Sequence, residues 1–220
     1  MDAKRALTDK CIVLDLDQTL VATQDDMEQL YELNILKDPQ LLHLRNRTYV
    51  LCVEDLEKPG CGTAYNYWGI IRPHTKDFLR FCFDYFNIVA VWSAGQRPYV
   101  EQIVDHLFKD MQKPHIIFTH EDVERDDNGD VVKPLLKLFE AEEFLSNNMF
   151  LENTVILDDN AKTFSYNHKN GIHIPEYRPK CTLAGIERDD IELLKFKNWL
   201  LRKNVIQGTD VTALDKSIIF

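Results

Sequence analysis

The sequence lacks any apolar run that approaches the ~20 residues needed to cross a bilayer as a helix. Its first five residues are mostly charged or polar, and they are not followed by the long apolar stretch of a secretory signal. Glycine and proline are scarce, with 8 of each in 220 residues, and no segment is of low complexity. These absences exclude collagen-like and disordered chains. They also predict a protein that is not secreted and has no membrane partner.

Basic residues are also few relative to acidic ones: the sequence has 26 basic and 36 acidic residues, and its formal net charge is −10. Proteins that bind nucleic acid generally carry a basic surface, so we expect no general nucleic-acid binding, and only a local basic groove is left open. The five cysteines are scattered, and none forms a C-x-x-C pair. They predict free thiols in a reducing compartment, hence an intracellular protein, nuclear or cytoplasmic. A zinc site that includes Cys52 and Cys61 is the weaker alternative, because their spacing fits no common zinc finger.

Short apolar runs alternate with helical patterns along most of the chain. Runs of this kind are typical of strands buried on both faces of a parallel sheet, and they cover residues 11–16, 87–92, 115–119 and 153–158. Apolar residues recur at helical spacing over residues 74–86, 98–109, 134–145 and 189–202. The alternation predicts an α/β fold, a Rossmann-like parallel sheet with helices on both faces. After residue 202 we expect a loose tail.

One segment departs from this alternation and predicts a small antiparallel β insertion at about residues 45–71. It holds two β-rich runs, at 48–53 and 64–71, which are joined by a Pro-Gly loop at 58–62. A second hairpin is predicted at residues 127–130, where Asn-Gly favours a tight turn. There is no internal repeat and no linker. We therefore predict a single domain over residues 1–220, with its core at about residues 10–205.

Acidic pairs follow the first and the fourth of the predicted strands. Asp15 and Asp17 end the first run, and Asp158 and Asp159 end the fourth. Because the carboxyl ends of parallel strands share one edge of a sheet, both pairs are expected in one crevice. Close carboxylates hold a hard cation such as Mg²⁺, or they divide a reaction between a nucleophile and an acid/base. Alone, the first pair could equally decorate a turn, but four close carboxylates repel one another without a cation.

Two further features suit phosphate. The run at 87–92 ends in Ser93-Ala94-Gly95, where a hydroxyl and two small residues let backbone N–H groups approach an anion. Lys133 stands immediately before Pro134 at a predicted helix start and would balance the charge of phosphate. In isolation, Ser93 would be a capping or turn residue and Lys133 a solvated surface residue. Their order along the chain, each at a strand end or a helix start, favours a functional site.

The set of motifs resembles the haloacid dehalogenase (HAD) superfamily of phosphotransferases. Its four motifs match residues 15–20, residues 92–95, Lys133 and residues 156–159. Within that superfamily the sequence is most similar to the Fcp/Scp-like (NLI-interacting-factor-like) phosphatases of the RNA polymerase II C-terminal domain. The Trp-Ser-Ala start of the second motif, the Arg-Pro pair at 72–73 before a helix and the β insertion carry this similarity, which covers about residues 10–200. Gln18, Ser93 and Gly95 depart from the residues usual in the group, and Gln18 leaves the substrate preference open.

The resemblance implies a Mg²⁺-dependent phosphatase of phosphoserine and phosphothreonine in proteins. Asp15 would be the nucleophile that forms an aspartyl-phosphate, and Asp17 would be the general acid and then the general base. Mg²⁺ would be held by Asp15, by the main-chain carbonyl of Asp17 and by Asp159, with Asp158 close by. The residues that the resemblance assigns to the phosphoryl oxygens are Ser93, Ala94 and Lys133.

The spacing of the motifs leaves no room for a large lid domain, so we expect an open site for a phosphorylated protein or peptide. This substrate would be similar to the C-terminal domain of RNA polymerase II. Aromatic residues of the insertion are candidates for a groove that binds a Pro-containing peptide, namely Tyr49, Tyr65, Tyr67 and Trp68. For each of them, packing on the core is the alternative. Arg97 would meet a second phosphate or lie on the surface.

Two other functions stay open. One is a nucleotidase or polynucleotide phosphatase of the same superfamily, and the acidic charge argues against a polynucleotide. The other is a catalytically inert scaffold with the same fold. The presence of all four motifs argues against inertness.

Overall fold

The structure is a computed structural model that describes residues 6–56, 58 and 60–220. The predictions for residues 1–5 and for Pro59 in the hairpin loop lie outside these residues. The strands are β1 (Cys11–Leu14), β2 (Val21–Gln24), β3 (Thr48–Glu54), β4 (Ala64–Ile71), β5 (Ile88–Trp92), β6 (Ile116–Phe118), β7 (Glu124–Arg125), β8 (Val131–Val132), β9 (Thr154–Asp158) and β10 (Gly171–His173).

The helices differ widely in length, and the longest two flank β5. They are α1 (Met27–Leu33), α2 (Leu42–Arg45), α3 (Thr75–Tyr85), α4 (Arg97–Leu107), α5 (Leu135–Phe139), α6 (Glu143–Asn148), α7 (Leu183–Glu187), α8 (Glu192–Leu200) and α9 (Lys203–Gln207). Short 3₁₀ helices lie at Pro39–Leu41, Ala161–Asn170 and Val211–Ala213. None of the helices within the described residues is both long and apolar enough to pass through a bilayer.

The central sheet has five parallel strands in the order β10-β9-β1-β5-β6. All four residues of β1 are fully buried, because alternate side chains enter different cores. Ile12 and Leu14 pack with α3, α4 and α8 on one face, and Cys11 and Val13 pack with α5 and α6 on the other. This confirms the predicted parallel sheet with helices on both faces. It also places the ends of β1, β5 and β9 along one edge.

A separate antiparallel sheet has the order β2-β4-β3. The two predicted β-rich runs are β3 and β4, and their pairing is confirmed from Thr48↔Ile70 to Glu54↔Ala64. The third strand, β2, was not predicted. It pairs with β4 and begins immediately after the loop that carries Asp17, whose neighbour Gln18 donates its backbone N–H to Val21. The antiparallel sheet is therefore attached directly to the first motif.

Two sequence predictions about helices are wrong. The helix predicted over residues 134–145 is divided into α5 and α6, because Glu142 has an extended backbone with φ −145° and ψ 145°. The break directs α6 so that Leu145 is buried in the same core as Leu135. The chain after residue 202 is not a loose tail, since it forms α9 and a 3₁₀ turn, and Val211 is buried against the main core.

Smaller predictions are confirmed. The second hairpin exists as β7 and β8, with Gly129 at φ +81° in its turn. The five cysteines are free thiols, two of them buried and three wholly or partly exposed.

Candidate active site

A buried cluster of one ammonium and two carboxylates lies at the edge where β1 and β9 end. Nζ of Lys133 donates to Oδ1 of Asp15 and to Oδ2 of Asp158, at 2.7 Å in each case. Lys133 reaches this position because it follows β8, and its backbone N–H is held by Thr163. All three side chains are almost completely buried. The structure thus brings three of the predicted residues together.

The electrostatics of this cluster follow from burial. Burial raises the pKa of Asp15 to about 8, against the opposing effect of the Lys133 ammonium. Burial by itself would lower the pKa of Lys133, but its two carboxylate partners hold that pKa above the usual value. When both carboxyl groups are ionised, the cluster holds two negative charges against one positive charge, and protonation of Asp15 removes this excess.

The fourth predicted carboxylate extends the cluster toward solvent. Asp159 is half-buried, and burial together with the neighbouring Asp158 raises its pKa. Its Oδ1 accepts from Oγ1 of Thr19 at 3.2 Å, which fixes the side chain. Oxygen atoms of Asp15, Asp158 and Asp159 lie within 4.8 Å of one another. Three clustered carboxylates and only one ammonium are a donor set that fits a hard divalent cation.

Asp17 does not share this cluster through its side chain. Its Oδ1 accepts hydrogen bonds from the hydroxyls of Tyr99 and Thr23, the latter at 3.2 Å. Burial raises the pKa of Asp17, and these two hydrogen bonds oppose the rise. The two carboxylates of the first motif therefore occupy different environments, one paired with an ammonium and one with hydroxyls.

The second motif lies beside them at the end of β5. Ser93 is buried, its backbone N–H donates to Phe118, and its Oγ accepts from the backbone N–H of Gly95 at 3.0 Å. Ala94, between them, is exposed. The Ser-Ala-Gly turn is therefore closed by its own serine, at the edge of the sheet that carries Asp15.

The groove candidates of the insertion separate onto different sides of the antiparallel sheet. Tyr67 lines a cavity of about 420 Å³, together with Thr23, Leu56 and Tyr99. Trp68 is the next residue of β4 and faces the opposite side, where it is buried and donates to the carbonyl of Asp26. As a groove residue, Trp68 is a wrong prediction, because successive residues of a strand point to opposite faces.

Other predicted binding residues are engaged within the protein. Tyr49 is buried and bonded to Thr23, which is the alternative of packing on the core. Arg97 pairs with Glu121 at 3.0 Å and lies within 3.8 Å of Glu101 and Asp122. Its guanidinium is held by acids of this chain, which is the surface alternative.

Gln18, Thr19 and Arg72 lie in segments that carry the family resemblance, but none of them was assigned a role in the site from the sequence. Gln18 has a left-handed backbone, with φ 62°, and its side-chain oxygen accepts from Arg178 at 2.7 Å. Arg72 is buried, donates to the carbonyl of Thr19 and forms a two-pronged ion pair with Asp190. The motifs that contain Thr19 and Arg72 did not show what these two side chains contact. Only their contacts across the fold show that they brace the loop of the first motif.

Comparison with known protein families then identifies the chain. The profile of the NLI interacting factor-like phosphatases matches residues 10–212, which is nearly the whole chain. The chain belongs to this family. Membership confirms the resemblance drawn from the four motifs.

Solved structures show the fold of this NLI interacting factor-like phosphatase. The RNA polymerase II C-terminal-domain phosphatase Fcp1 of fission yeast, bound to beryllium fluoride, aligns with 77% of the chain at a TM-score of 0.56 and 20% identity. A second Fcp1 structure, described as an essential RNA polymerase II C-terminal-domain phosphatase, aligns with 94% at a TM-score of 0.55 and 17% identity. The alignments cover 42% and 58% of those chains, so this chain spans about half of their length. No curated protein matches it.

These neighbours confirm the HAD fold that the motifs predicted. The parallel sheet with the site at its carboxyl edge and the small antiparallel sheet beside it form that architecture here.

Proposed function

We propose that this protein is a Mg²⁺-dependent phosphoprotein phosphatase in which Asp15 attacks the phosphorus of a phosphoserine or phosphothreonine. The observation that carries the proposal is the buried contact of Lys133 with Asp15 and Asp158, at 2.7 Å each, at the carboxyl edge of the sheet. A lysine at this place fixes the nucleophile and supplies positive charge for the phosphoryl oxygens. Ser93 and the exposed Ala94 stand on the neighbouring strand end, where they suit the same oxygens.

The residues that would hold Mg²⁺ are Asp15, Asp158 and Asp159, with the main-chain carbonyl of Asp17. When bound, the cation offsets the negative charge of the carboxylates and of the phosphoryl group. The pairwise closeness of three carboxylates supports this assignment, because Lys133 alone leaves the cluster with excess negative charge.

The two aspartates of the first motif divide the reaction. An oxygen of Asp15 forms a bond to phosphorus while the ester bond to the serine or threonine oxygen breaks, and Asp17 gives its proton to that departing oxygen. Water then attacks the phosphorus of the aspartyl-phosphate and passes a proton to Asp17, which releases inorganic phosphate and restores both residues. The raised pKa of Asp17 supports its role as the acid, since it favours the protonated form.

The substrate we propose is a phosphorylated protein segment similar to the C-terminal domain of RNA polymerase II. The cavity lined by Tyr67, Leu56 and Tyr99 adjoins Asp17 through Thr23, and its two tyrosine rings are of the kind that bind Pro-containing peptides. The acidic net charge supports a protein over a polynucleotide. An intracellular location, nuclear or cytoplasmic, stays a prediction.

Phosphate release by the purified protein tests this function, with and without Mg²⁺, on phosphoserine heptad-repeat peptides, mononucleotides and p-nitrophenyl phosphate. We expect turnover only with Mg²⁺ and a preference for the peptides. A preference for nucleotides would contradict the substrate class and favour the nucleotidase alternative. Absence of turnover on all three, by folded protein, would favour the scaffold alternative.

The matched variant is Asp15→Asn, which keeps the size of the side chain and removes the nucleophile. We expect turnover to fall by at least ~10³-fold, a loss typical of removing a covalent catalyst. Circular dichroism and thermal unfolding check that the fold is intact. Substantial turnover by the folded variant would refute the assignment of Asp15.

A further inference from the structure

Three hydroxyl groups form a connected chain that ends on Asp17. The hydroxyl of Tyr49 lies 2.6 Å from Oγ1 of Thr23, which in turn lies 2.6 Å from the hydroxyl of Tyr99. Both Thr23 and Tyr99 contact Oδ1 of Asp17. The three residues come from β3, β2 and α4, so two strands of the antiparallel sheet and one helix supply the three hydroxyls.

The direction of the hydrogens follows from simple accounting. While Asp17 is ionised its oxygens only accept, so Tyr99 donates to Oδ1 of Asp17. The hydrogen of Thr23 then faces Tyr99 and Oδ1, and Tyr49 is left to donate to Thr23. Both tyrosines keep their hydroxyl hydrogens at neutral pH, since the ordinary pKa of a tyrosine is about 10. All side-chain hydrogen bonds of Asp17 within the described residues end on Oδ1.

The contact between Tyr49 and Thr23 depends on Gly69 of β4, the strand that lies between them. Thr23 and Tyr49 are both register partners of Gly69, one on each side of β4. A methyl group at position 69 would overlap the ring and hydroxyl of Tyr49. Because Gly69 has no side chain, Tyr49 lies across the middle strand and reaches Thr23. The sheet is therefore shaped to bring the Tyr49 hydroxyl to Thr23.

We propose that Tyr49, Thr23 and Tyr99 form a hydroxyl relay that keeps Oδ1 of Asp17 an acceptor, so that Oδ2 is the oxygen that protonates the leaving alkoxide. The inference rests on the proposed function and adds three positioning residues to it. Tyr49 lies two hydrogen bonds away from Asp17 and acts through Thr23 and Tyr99. Because a hydrogen-bonded chain polarises along its length, the loss of its first member weakens the hold on Oδ1.

Leaving-group dependence distinguishes positioning from a structural role. A serine alkoxide needs a proton to depart, whereas p-nitrophenolate departs readily without one. Turnover of the peptide therefore depends on the orientation of the Asp17 carboxyl group, and turnover of p-nitrophenyl phosphate does not. For Tyr49→Phe we expect kcat on a phosphoserine peptide to fall about tenfold, the usual scale for one well-placed hydrogen bond. On p-nitrophenyl phosphate we expect kcat within about twofold of the wild type.

The matched control is Tyr85→Phe. Tyr85 is a buried tyrosine whose hydroxyl donates to the carbonyl of Leu200 at 2.8 Å, between α3 and α8 and away from Asp17. Tyr85→Phe removes a hydroxyl group, as Tyr49→Phe does. For Tyr85→Phe we expect the ratio of kcat on the peptide to kcat on p-nitrophenyl phosphate to stay that of the wild type. Equal losses on both substrates for Tyr49→Phe would overturn the relay and leave the phosphatase assignment standing. Lack of Mg²⁺-dependent turnover in the wild type would instead overturn the proposed function.

A pair of variants at Thr23 tests the hydroxyl relay if Tyr49→Phe does not fold. Thr23→Ser keeps the hydroxyl of the relay, and Thr23→Val removes it while keeping the branched shape. We expect Thr23→Ser to keep the substrate ratio and Thr23→Val to lose activity selectively on the peptide. Identical ratios for the two variants would overturn the relay.

Discussion

At the scale of single residues, the site is organised around an imbalance of buried charge. Lys133 neutralises one of the two carboxylates that it contacts, and Asp159 adds a further carboxylate nearby. Buried charges are tolerated when they are paired, and removing one partner leaves an uncompensated charge at high cost. Lys133 is therefore expected to stabilise the folded state, in addition to the role in phosphate binding that we propose for it.

We predict that Lys133→Met lowers the free energy of unfolding by about 3–5 kcal/mol, because Asp15 and Asp158 lose their shared partner. Urea unfolding in the absence of divalent cations measures the loss. In an Asp15→Asn background the same substitution is expected to cost less, since one of the two carboxylates is already neutral. Strictly additive costs would contradict the shared pairing.

Some of these residues could be predicted from the sequence because of where they stand relative to the predicted strands and helices. Asp15, Lys133 and Asp158 follow strands or precede a helix, and parallel strands bring such ends to one edge. Trp68 is wrong as a groove residue and Tyr49 packs on the core, because the contacts of a strand side chain depend on what covers its face of the sheet. One face of the sheet packs with α4, where Tyr49 lies, and the other packs with α1, where Trp68 lies, and the sequence pattern did not reveal either packing.

At the scale of elements, the antiparallel sheet is the part that the sequence described least completely. β3 and β4 were predicted because each is a run of β-branched and aromatic residues. β2 has only four residues and follows the first motif so closely that its pattern merges with the loop. Its pairing with β4 depends on partners about 45 residues away, beyond the reach of any local signal. The division of α5 from α6 was not predicted either, because the apolar spacing of the two helices is compatible with one continuous helix.

Gly69 provides the prediction that belongs to this element. Gly69→Ala places a methyl group against Tyr49 and 2.6 Å from the carbonyl oxygen of Ala22, so the middle strand has to shift. We expect a loss of about 1–3 kcal/mol in the free energy of unfolding, as for other overpacked sites. Chemical denaturation measures it. In a Tyr49→Val background, where the ring is absent, the loss is expected to be smaller, and an unchanged loss would show that Tyr49 is not the obstacle.

At the scale of the whole molecule, the last residues of the chain belong to the core that supports the site. Ile219 and Val211 are buried in the same apolar cluster as Ile12 and Leu14 of β1, the strand that ends at Asp15. The carbonyl of Asp215 accepts from Nε1 of Trp199, which anchors the segment on α8. The sequence after residue 202 gave no periodic pattern, because this segment packs through single residues and turns rather than through one helical face.

Two adjacent isoleucines test this packing, since they are the same residue type and differ in how much of the side chain is buried. Ile219 is 6% exposed and Ile218 is 50% exposed. We predict that Ile219→Ala lowers the free energy of unfolding by about 2 kcal/mol, at the low end for a buried isoleucine because the chain end can partly collapse. Ile218→Ala is expected to change it by less than ~0.5 kcal/mol. Urea unfolding of both variants measures the difference, and phosphatase activity under native conditions is expected to be unchanged in both. Equal small effects would mean that the chain end does not contribute to the core, and the support of β1 would then come from α3, α4 and α8 alone.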